Sequence, residues 1–291
     1  MRSPDLQSNR AYAHTIAGAI ETCRRKLIGI SGTPWLDARL LASHVTGLDA
    51  SAIVAYGEHA LPAQRRKQLE ALTLRRAAGE PVAYLVGFKE FAGIRIGVDH
   101  RVLVPRPETE ELVELVAHDW HGRNADILDL GTGSGAIACA LAHLLTDAAF
   151  VASDVNREAL DVAAHNVERL ALAERVELIE SDLFGRFAAH RRFDGIVANL
   201  PYVADGDPDL AADVERHEPA LALRAGPDGL AVYRRMFERA PQHLRAGGRI
   251  YCECGPATAR GLAEIAARAF PEREIRVYAD RGGRERAVIV A

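Results

Sequence analysis

Cysteine is scarce in this chain of 291 residues: Cys23, Cys139, Cys252 and Cys254 are the only four, and no two are spaced as a CxxC pair. Cys252 and Cys254 would fall on one side of a strand, a weak metal site at best. The four read as buried thiols in a reducing cytosol, and no metal is expected. Long apolar runs are also missing. None is long enough to span a bilayer, and the N-terminus, with Asp5 and several polar residues, lacks a signal peptide's apolar stretch. A cytoplasmic protein without a membrane partner is expected. Positive charge is not in excess either. The formal net charge is −4, so no global basic field recruits nucleic acid. Arg65-Arg66-Lys67 and Arg75-Arg76 sit on patterned helices and read as solvated faces. Internal repeats and low-complexity tracts are absent. What remains is an ordinary globular balance, 48% hydrophobic and 26% charged, in a chain long enough for two domains.

From about Ala11 to Gly79 the text is helical. Apolar residues recur at helical spacing in LDARLLASHVTGL (Leu36, Leu40, Leu41, Val45), with Gly47 as the stop, and LPAQRRKQLEALTLRRAAG behaves likewise. The expectation is a small helical bundle over residues 1–80. The texture then changes. Two short β-type runs around Ala92-Gly93 predict a hairpin within a linker, residues 81–107. Pro105 and Pro107 break the backbone, and Thr109 with the acidic, apolar-periodic stretch after it starts a helix. From Asp126 onward strands and helices alternate, which predicts an α/β domain over 108–291. Its sheet is open and mostly parallel, with helices on both faces. The last two runs, EIRVYAD and RAVIV, have no helix between them, so one antiparallel strand belongs near the C-terminus.

Ligands bind such sheets outside the carboxyl ends of the strands. Four consecutive strands deliver a polar residue there: Asp129 ahead of the loop Gly131-Thr132-Gly133-Ser134-Gly135, then Asp154, Asp182 and Asn199. Each alone is ordinary turn chemistry. The coincidence of four is the signal. The glycine loop by itself is weak, since Gly131-x-Gly133-x-x-Ala136 also satisfies the dinucleotide pattern, and a tight strand-to-helix turn that binds nothing gives the same string. Asp129 separates the two cofactor readings. A carboxylate ahead of the glycines repels a pyrophosphate, but suits the positive end of S-adenosylmethionine, with Asp129 facing the methionine ammonium. Asp154 would then accept from the ribose hydroxyls and Asp182 from the adenine amino group. Leu183 or Phe184 would line the adenine slot or else pack into the core.

The stretch VANLPYVAD, residues 197–205, asks why a buried strand ends in a bare carboxamide and Leu-Pro-Tyr. The Asn199 side-chain oxygen and a nearby main-chain carbonyl can together accept both hydrogens of a planar NH2 group. Both acceptors gain strength as that nitrogen becomes positive in a methyl transfer. Orientation can contribute part of roughly 7–11 kcal/mol, against about 0.5–1.5 kcal/mol for a neutral hydrogen bond, so positioning dominates and no strong general base is required. Pro201 stiffens the turn. Tyr202 either offers a flat face to the acceptor or is an ordinary half-buried tyrosine.

PVAYLVGFKEFAGIRIGVDHRVLVPRPETEELVE, DILDLGTGSGAIA and NLPY, with DVERHEPALAL, ECG and DRGGRERAV further on, together resemble the HemK/PrmC family of protein-(glutamine-N5) methyltransferases. The likeness runs from about Trp35 to the C-terminus, and its specific part is Pro105-Arg106-Pro107-Glu108-Thr109 with the hairpin before it. It implies a class I (Rossmann-like) S-adenosylmethionine-dependent methyltransferase sheet preceded by a helical domain that contacts class 1 peptide chain release factors. It also implies cofactor contacts at Gly131 to Gly135, Asp154, Asp182, Leu183 and Asn199. The glutamine of a Gly-Gly-Gln loop would be held by Asn199, Leu200, Pro201 and Tyr202, of which Asn199, Pro201 and Tyr202 carry the catalysis. The family's usual tetrapeptide is Asn-Pro-Pro-Tyr, so Leu200 is a departure; the role expected there is a backbone carbonyl, which leucine has. Alternative activities are transfer to a ribosomal-protein glutamine and transfer to the N6 of adenine in RNA or DNA.

Overall fold

Helical periodicity holds throughout the first compact unit, which ends at Gly87. The computed structural model describes residue 12 and residues 14–291; the expected bundle's residues 1–11 and 13 lie outside that range. The unit contains α1 (Ile16–Leu27), α2 (Pro34–Thr46), α3 (Ala50–Ala55), α4 (Ala63–Ala77) and α5 (Val82–Val86). Thr15 caps α1 by accepting from the Gly18 amide at 3.1 Å, and Asp49 caps α3 in the same way. Gly47, at φ 74°, closes α2 as its position in the sequence predicts. Leu27, Leu41 and Leu69 fill the core between α1, α2 and α4. One carboxylate is buried among these helices. Asp37 receives Arg76 Nε at 2.7 Å and the hydroxyls of Ser31 and Thr33 at 2.8 and 3.0 Å, so its charge is compensated.

The second unit begins at Phe88. β1 (Phe88–Phe91) and β2 (Ile94–Gly97) form the expected hairpin. Ala92 and Gly93 at its tip both have positive φ, 46° and 80°, the requirement of a tight two-residue turn. The segment read as a linker thus divides: α5 packs in the first unit and the hairpin belongs to the second. The buried Asn166 carboxamide fixes the hairpin. Its oxygen accepts from the Gly97 amide at 2.7 Å, and its nitrogen donates to the carbonyls of Gly97 and Ser134, both at 2.9 Å.

Thereafter come α6 (Pro107–Trp120), β3 (Asp126–Leu130), α7 (Ala136–Leu144), β4 (Ala149–Asp154), α8 (Arg157–Arg169), β5 (Val176–Glu180) and β6 (Phe193–Ala198). They are followed by α9 (Ala212–His217), a 3-10 turn (Ala220–Ala222), α10 (Ala231–His243), β7 (Leu244–Glu253), α11 (Pro256–Ala269), β8 (Ile275–Ala279) and β9 (Glu285–Val290). The seven-stranded sheet has the order β5-β4-β3-β6-β7-β9-β8. β3 to β7 are parallel, and β9 runs antiparallel to both β7 and β8. The strand order reverses between β3 and β6, so the crevice for a ligand opens at their carboxyl ends. Apolar runs such as Ile127-Leu128 and Ile196-Val197 are fully buried, as strands covered on both faces must be. Among the described residues no helix is long and apolar enough to cross a membrane. All four cysteines are free and buried, and burial holds each thiol above its usual range.

Candidate functional site

The ends of β3, β4 and β6 and the loop after β5 open onto one cavity with about 1180 Å³ of empty space, part of it continuous with solvent.

The glycine loop forms one wall through Gly131, Thr132, Gly133 and Ser134. Gly131 and Gly133 have φ 80° and 54°, the left-handed region that side chains avoid. A Cβ on Gly131 would lie 2.7 Å from Leu200 Cδ2, whereas one on Gly133 would meet nothing within 4 Å. At Gly133 the loop backbone is therefore bare toward the cavity, while at Gly131 it is covered by Leu200. Gly135 is not on the wall; it faces α8, where a Cβ would come within 3.2 Å of the Ala163 methyl.

Asp129 is placed differently from the sequence expectation. Its side chain is fully buried beneath the loop and is not on the cavity wall. Oδ2 accepts from the Thr132 hydroxyl at 2.5 Å and the Ala138 amide at 3.1 Å. The loop folds over the carboxylate to use it as an internal cap, which is why it turns inward. Burial, with the Asp154 charge adding to it, pushes its pKa up to about 7. Oδ1 is buried without a partner, so the site has one unspent acceptor beneath the glycines. An orphaned acceptor and a bare loop backbone fit a cofactor whose nearby end carries positive charge.

Asp154 lines the cavity at the end of β4. Its two oxygens accept from the amides of Gly133 and Asn156, each at 2.8 Å. Each oxygen keeps a further lone pair for a diol. Burial raises its pKa against the pull of those backbone bonds. Asp182 also reaches the cavity but is half exposed, and it pairs with Arg235 at 2.6 Å. Arg235 is on the same wall, so the adenine end expected there is bordered by an ion pair rather than by a lone carboxylate. Leu183 lines the cavity with φ 49°, a strained value for leucine. The Ser181 hydroxyl holds it there by donating to the Leu183 carbonyl at 2.6 Å. Phe184 goes into the core instead, stacked on His243 with ring centroids 4.6 Å apart.

Asn199, Leu200 and Pro201 line the same cavity, with Leu200 packed beside Gly131. Asn199 Nδ2 donates to the Thr109 hydroxyl at 3.2 Å, which turns Oδ1 away from that partner. Leu200 is buried, and its amide donates to the Tyr233 phenol at 3.3 Å. A proline has no such hydrogen, so the extra donor introduced by leucine at this position is satisfied inside the protein. Tyr202 is half-buried and off the cavity wall. Its phenol donates to Glu253 Oε1 at 3.1 Å, and its ring edge lies beside Gly255. The ordinary half-buried tyrosine describes it better than a platform open to the cavity.

Residues that sequence reasoning left out complete the site. Thr109, a helix start in the sequence, lines the cavity and holds Asn199. Tyr233 sits with its oxygen 2.6 Å from the Glu253 carbonyl and 3.1 Å from that of Ala198, joining the ends of β7 and β6. Glu218 receives Arg106 at 2.6 Å and the Val104 amide at 3.0 Å, which fixes the 104–106 segment where it borders the cavity. Thr109 and Arg106 fall in the Pro-Arg-Pro-Glu-Thr motif, a signal that was available. Nothing in the sequence around Tyr233 marks it.

Residues 19–87 match the PrmC N-terminal domain family and residues 108–216 the methyltransferase small domain family. The chain is 39% identical over 262 residues to the release factor glutamine methyltransferase of Rhodopirellula baltica, covering 88% of each chain. It is 41% identical over 235 residues to the protein of the same name from Bordetella pertussis, covering 80% of this chain and 86% of that one. Among solved structures, the hMettl16 catalytic domain in complex with an RNA hairpin superposes with a TM-score of 0.54 at 17% identity, covering 79% of this chain and 80% of that one. That last likeness bears on the fold alone.

Proposed function

The chain belongs to the release factor glutamine methyltransferase family, and we propose that it methylates the side-chain amide nitrogen of the glutamine in the Gly-Gly-Gln loop of class 1 release factors. It is a methyltransferase with the class I sheet, and its methyl donor is S-adenosylmethionine. That donor supplies an electrophilic methyl group on a positively charged sulfur. Asp154 is positioned to hold a ribose diol, the bare backbone at Gly133 to lie along the methionine moiety, and Leu183 to cover the adenine. Asp129 acts through the loop, capping Thr132 and Ala138 and adding negative potential below the positive end.

One observation carries the acceptor reading. Asn199 lines the cavity that the glycine loop also borders, with its nitrogen committed to Thr109. Its oxygen is then the acceptor left for a substrate NH2, with the Leu200 carbonyl as the second. A glutamine amide nitrogen is a poor nucleophile because its lone pair is delocalised. Two fixed acceptors align that nitrogen and strengthen as it gains positive charge. Burial pushes the phenol of Tyr202 far above its usual range, so Tyr202 is not a base; it braces the turn through Glu253. An enzyme acting on translation factors works in the cytoplasm.

The test mixes the purified protein and labelled S-adenosylmethionine with a release factor, a ribosomal protein or bare ribosomal RNA, and maps the methyl by mass spectrometry. Label on the Gly-Gly-Gln glutamine is expected. Label on RNA adenine, or on the ribosomal protein alone, overturns the reading.

A further inference from the structure

Between β6 and α10 the chain borders the cavity twice, first at Asn199 to Pro201 and again at Pro219, Leu221, Ala222 and Arg224. The second stretch contains the 3-10 turn Ala220–Ala222, and hydrogen bonds tie it down on both sides. Before the turn, the buried Glu218 accepts from Arg106 Nη2 at 2.6 Å and from the Val104 amide at 3.0 Å. After it, the Leu223 carbonyl accepts from the Val203 amide at 3.0 Å, and the Ala225 amide donates to the Val203 carbonyl at 2.9 Å. Arg224 Nη1 adds a bond to the Ala204 carbonyl at 3.0 Å.

These anchors put the turn on the acceptor side of the cavity. Arg106 immediately precedes α6, whose first turn carries the Thr109 that holds Asn199. Val203 and Ala204 directly follow Tyr202. The turn therefore straps together the two segments that flank Asn199, and none of its anchoring bonds goes to the glycine loop or to Asp154. What it presents is a leucine. Leu221 borders the cavity and is 58% exposed, whereas Leu223 beside it is buried. A lone exposed leucine on an open surface is ordinary. This one lines the reaction cavity, on backbone held by a buried carboxylate, and burying a charge is costly unless it is paired as Glu218 is.

Resting on the acceptor reading given above, we propose that Leu221 is a specificity-determining contact, packing on the release-factor backbone beside the methylated glutamine, and that Glu218 is the positioning residue that holds its turn. The glycines that precede the glutamine carry no side chain, so their backbone can come close to the leucine and remove its methyl groups from water. A side chain at those positions would compete with Leu221 for the same space. The turn thus favours glycine by contact and opposes bulk by exclusion.

The experiment compares Leu221→Ala, Glu218→Ala and Glu218→Gln with the wild type in the full chain. It measures kcat and KM for a release factor and for the same factor with alanine in place of the glycine before the glutamine, and the Kd for S-adenosylmethionine by calorimetry. Leu221→Ala is expected to raise KM for the release factor about 10-fold, the scale of an apolar side chain left in water, with cofactor Kd within about twofold. Its preference for the glycine factor over the alanine factor is expected to fall about 10-fold. Glu218→Ala should reproduce both effects, and Glu218→Gln, which can still accept from Arg106 and the Val104 amide, should restore most of the loss. Leu221 is exposed, so its variant should melt with the wild type and decides the matter even where Glu218→Ala fails to fold. Unchanged KM and unchanged glycine preference in Leu221→Ala overturn this inference, while a methyl on the release-factor glutamine leaves the acceptor reading standing. A change confined to cofactor Kd places Leu221 against the cofactor and overturns it too. No methyl on the release factor from the wild type overturns both.

Discussion

Leu200 Cδ2 stands 2.7 Å from the point that a Cβ on Gly131 would occupy, so the acceptor wall and the glycine loop are packed against each other across the strand ends of β3 and β6. The two halves of the site are thereby coupled in one contact. Leu200, whose carbonyl is the second acceptor in the proposed mechanism, thus also packs on the loop proposed to hold the cofactor.

Gly131→Ala tests that contact. The left-handed φ of 80° costs a side chain roughly 1–2 kcal/mol, which is a few degrees of Tm in a protein of this size. Displacement of Leu200 adds a loss of kcat. Thermal melting and turnover of Gly131→Ala and of Gly131→Ala/Leu200→Ala separate the two causes. Recovery of kcat but not of Tm in the double variant is expected.

In the proposed mechanism Asn199→Ala removes one of two acceptors that strengthen in the transition state. A drop in kcat on the order of 10²–10³ is expected, by analogy with the loss of a single preorganised hydrogen-bonding group. Calorimetry should find cofactor affinity only modestly weakened. Near-normal turnover would remove Asn199 from the mechanism.

Asp154→Ala should act on affinity instead. Hydrogen bonds to a charged group contribute about 1.5–3 kcal/mol, so the cofactor Kd is expected to rise roughly 10- to 100-fold. Part of that comes from the Gly133 amide losing its acceptor. An unchanged Kd by calorimetric titration would refute the ribose assignment.

Tyr233→Phe deletes the buried oxygen that receives the Leu200 amide and bridges the β6 and β7 ends. Leaving those groups unpaired costs about 1–3 kcal/mol. Chemical denaturation should show that loss, together with lower kcat if the Leu200 carbonyl is the second acceptor as proposed. Full stability in the variant would mean that the phenol is dispensable.

Stability should fall as pH rises. Burial raises both Asp129 and Glu253 to about 7, well above their unfolded values. Between the unfolded and folded pKa the native state binds more protons than the unfolded one, so ΔG of unfolding decreases with pH. The contribution is full below about pH 4 and is lost as pH passes through 7. Tm measured from pH 5 to 8 should decline, and Glu253→Gln should shallow the slope. A flat Tm in wild type over that range would contradict the assignment.

Much of this protein was determined locally and could be read from the chain. Alternating apolar runs specified the parallel sheet because a strand buried on both faces needs an unbroken apolar stretch. The polar residues closing those runs, Asp154, Asp182 and Asn199, specified the edge where the cavity opens. The bare glycines specified the loop, since only glycine enters left-handed backbone at little cost. What the chain could not reveal is where a side chain goes when several partners compete for it. Asp129 turned inward because Thr132 and Ala138 offered it donors beneath the loop. Tyr202 left the cavity because Glu253, 51 residues away, took its phenol. Thr109 acquired its role only when α6 came to lie beside the end of β6, 90 residues further on. Hydrogen bonds of that reach depend on the positions of whole elements, so the orientation of the acceptor groups was settled by tertiary structure, while their chemical nature was written in the sequence.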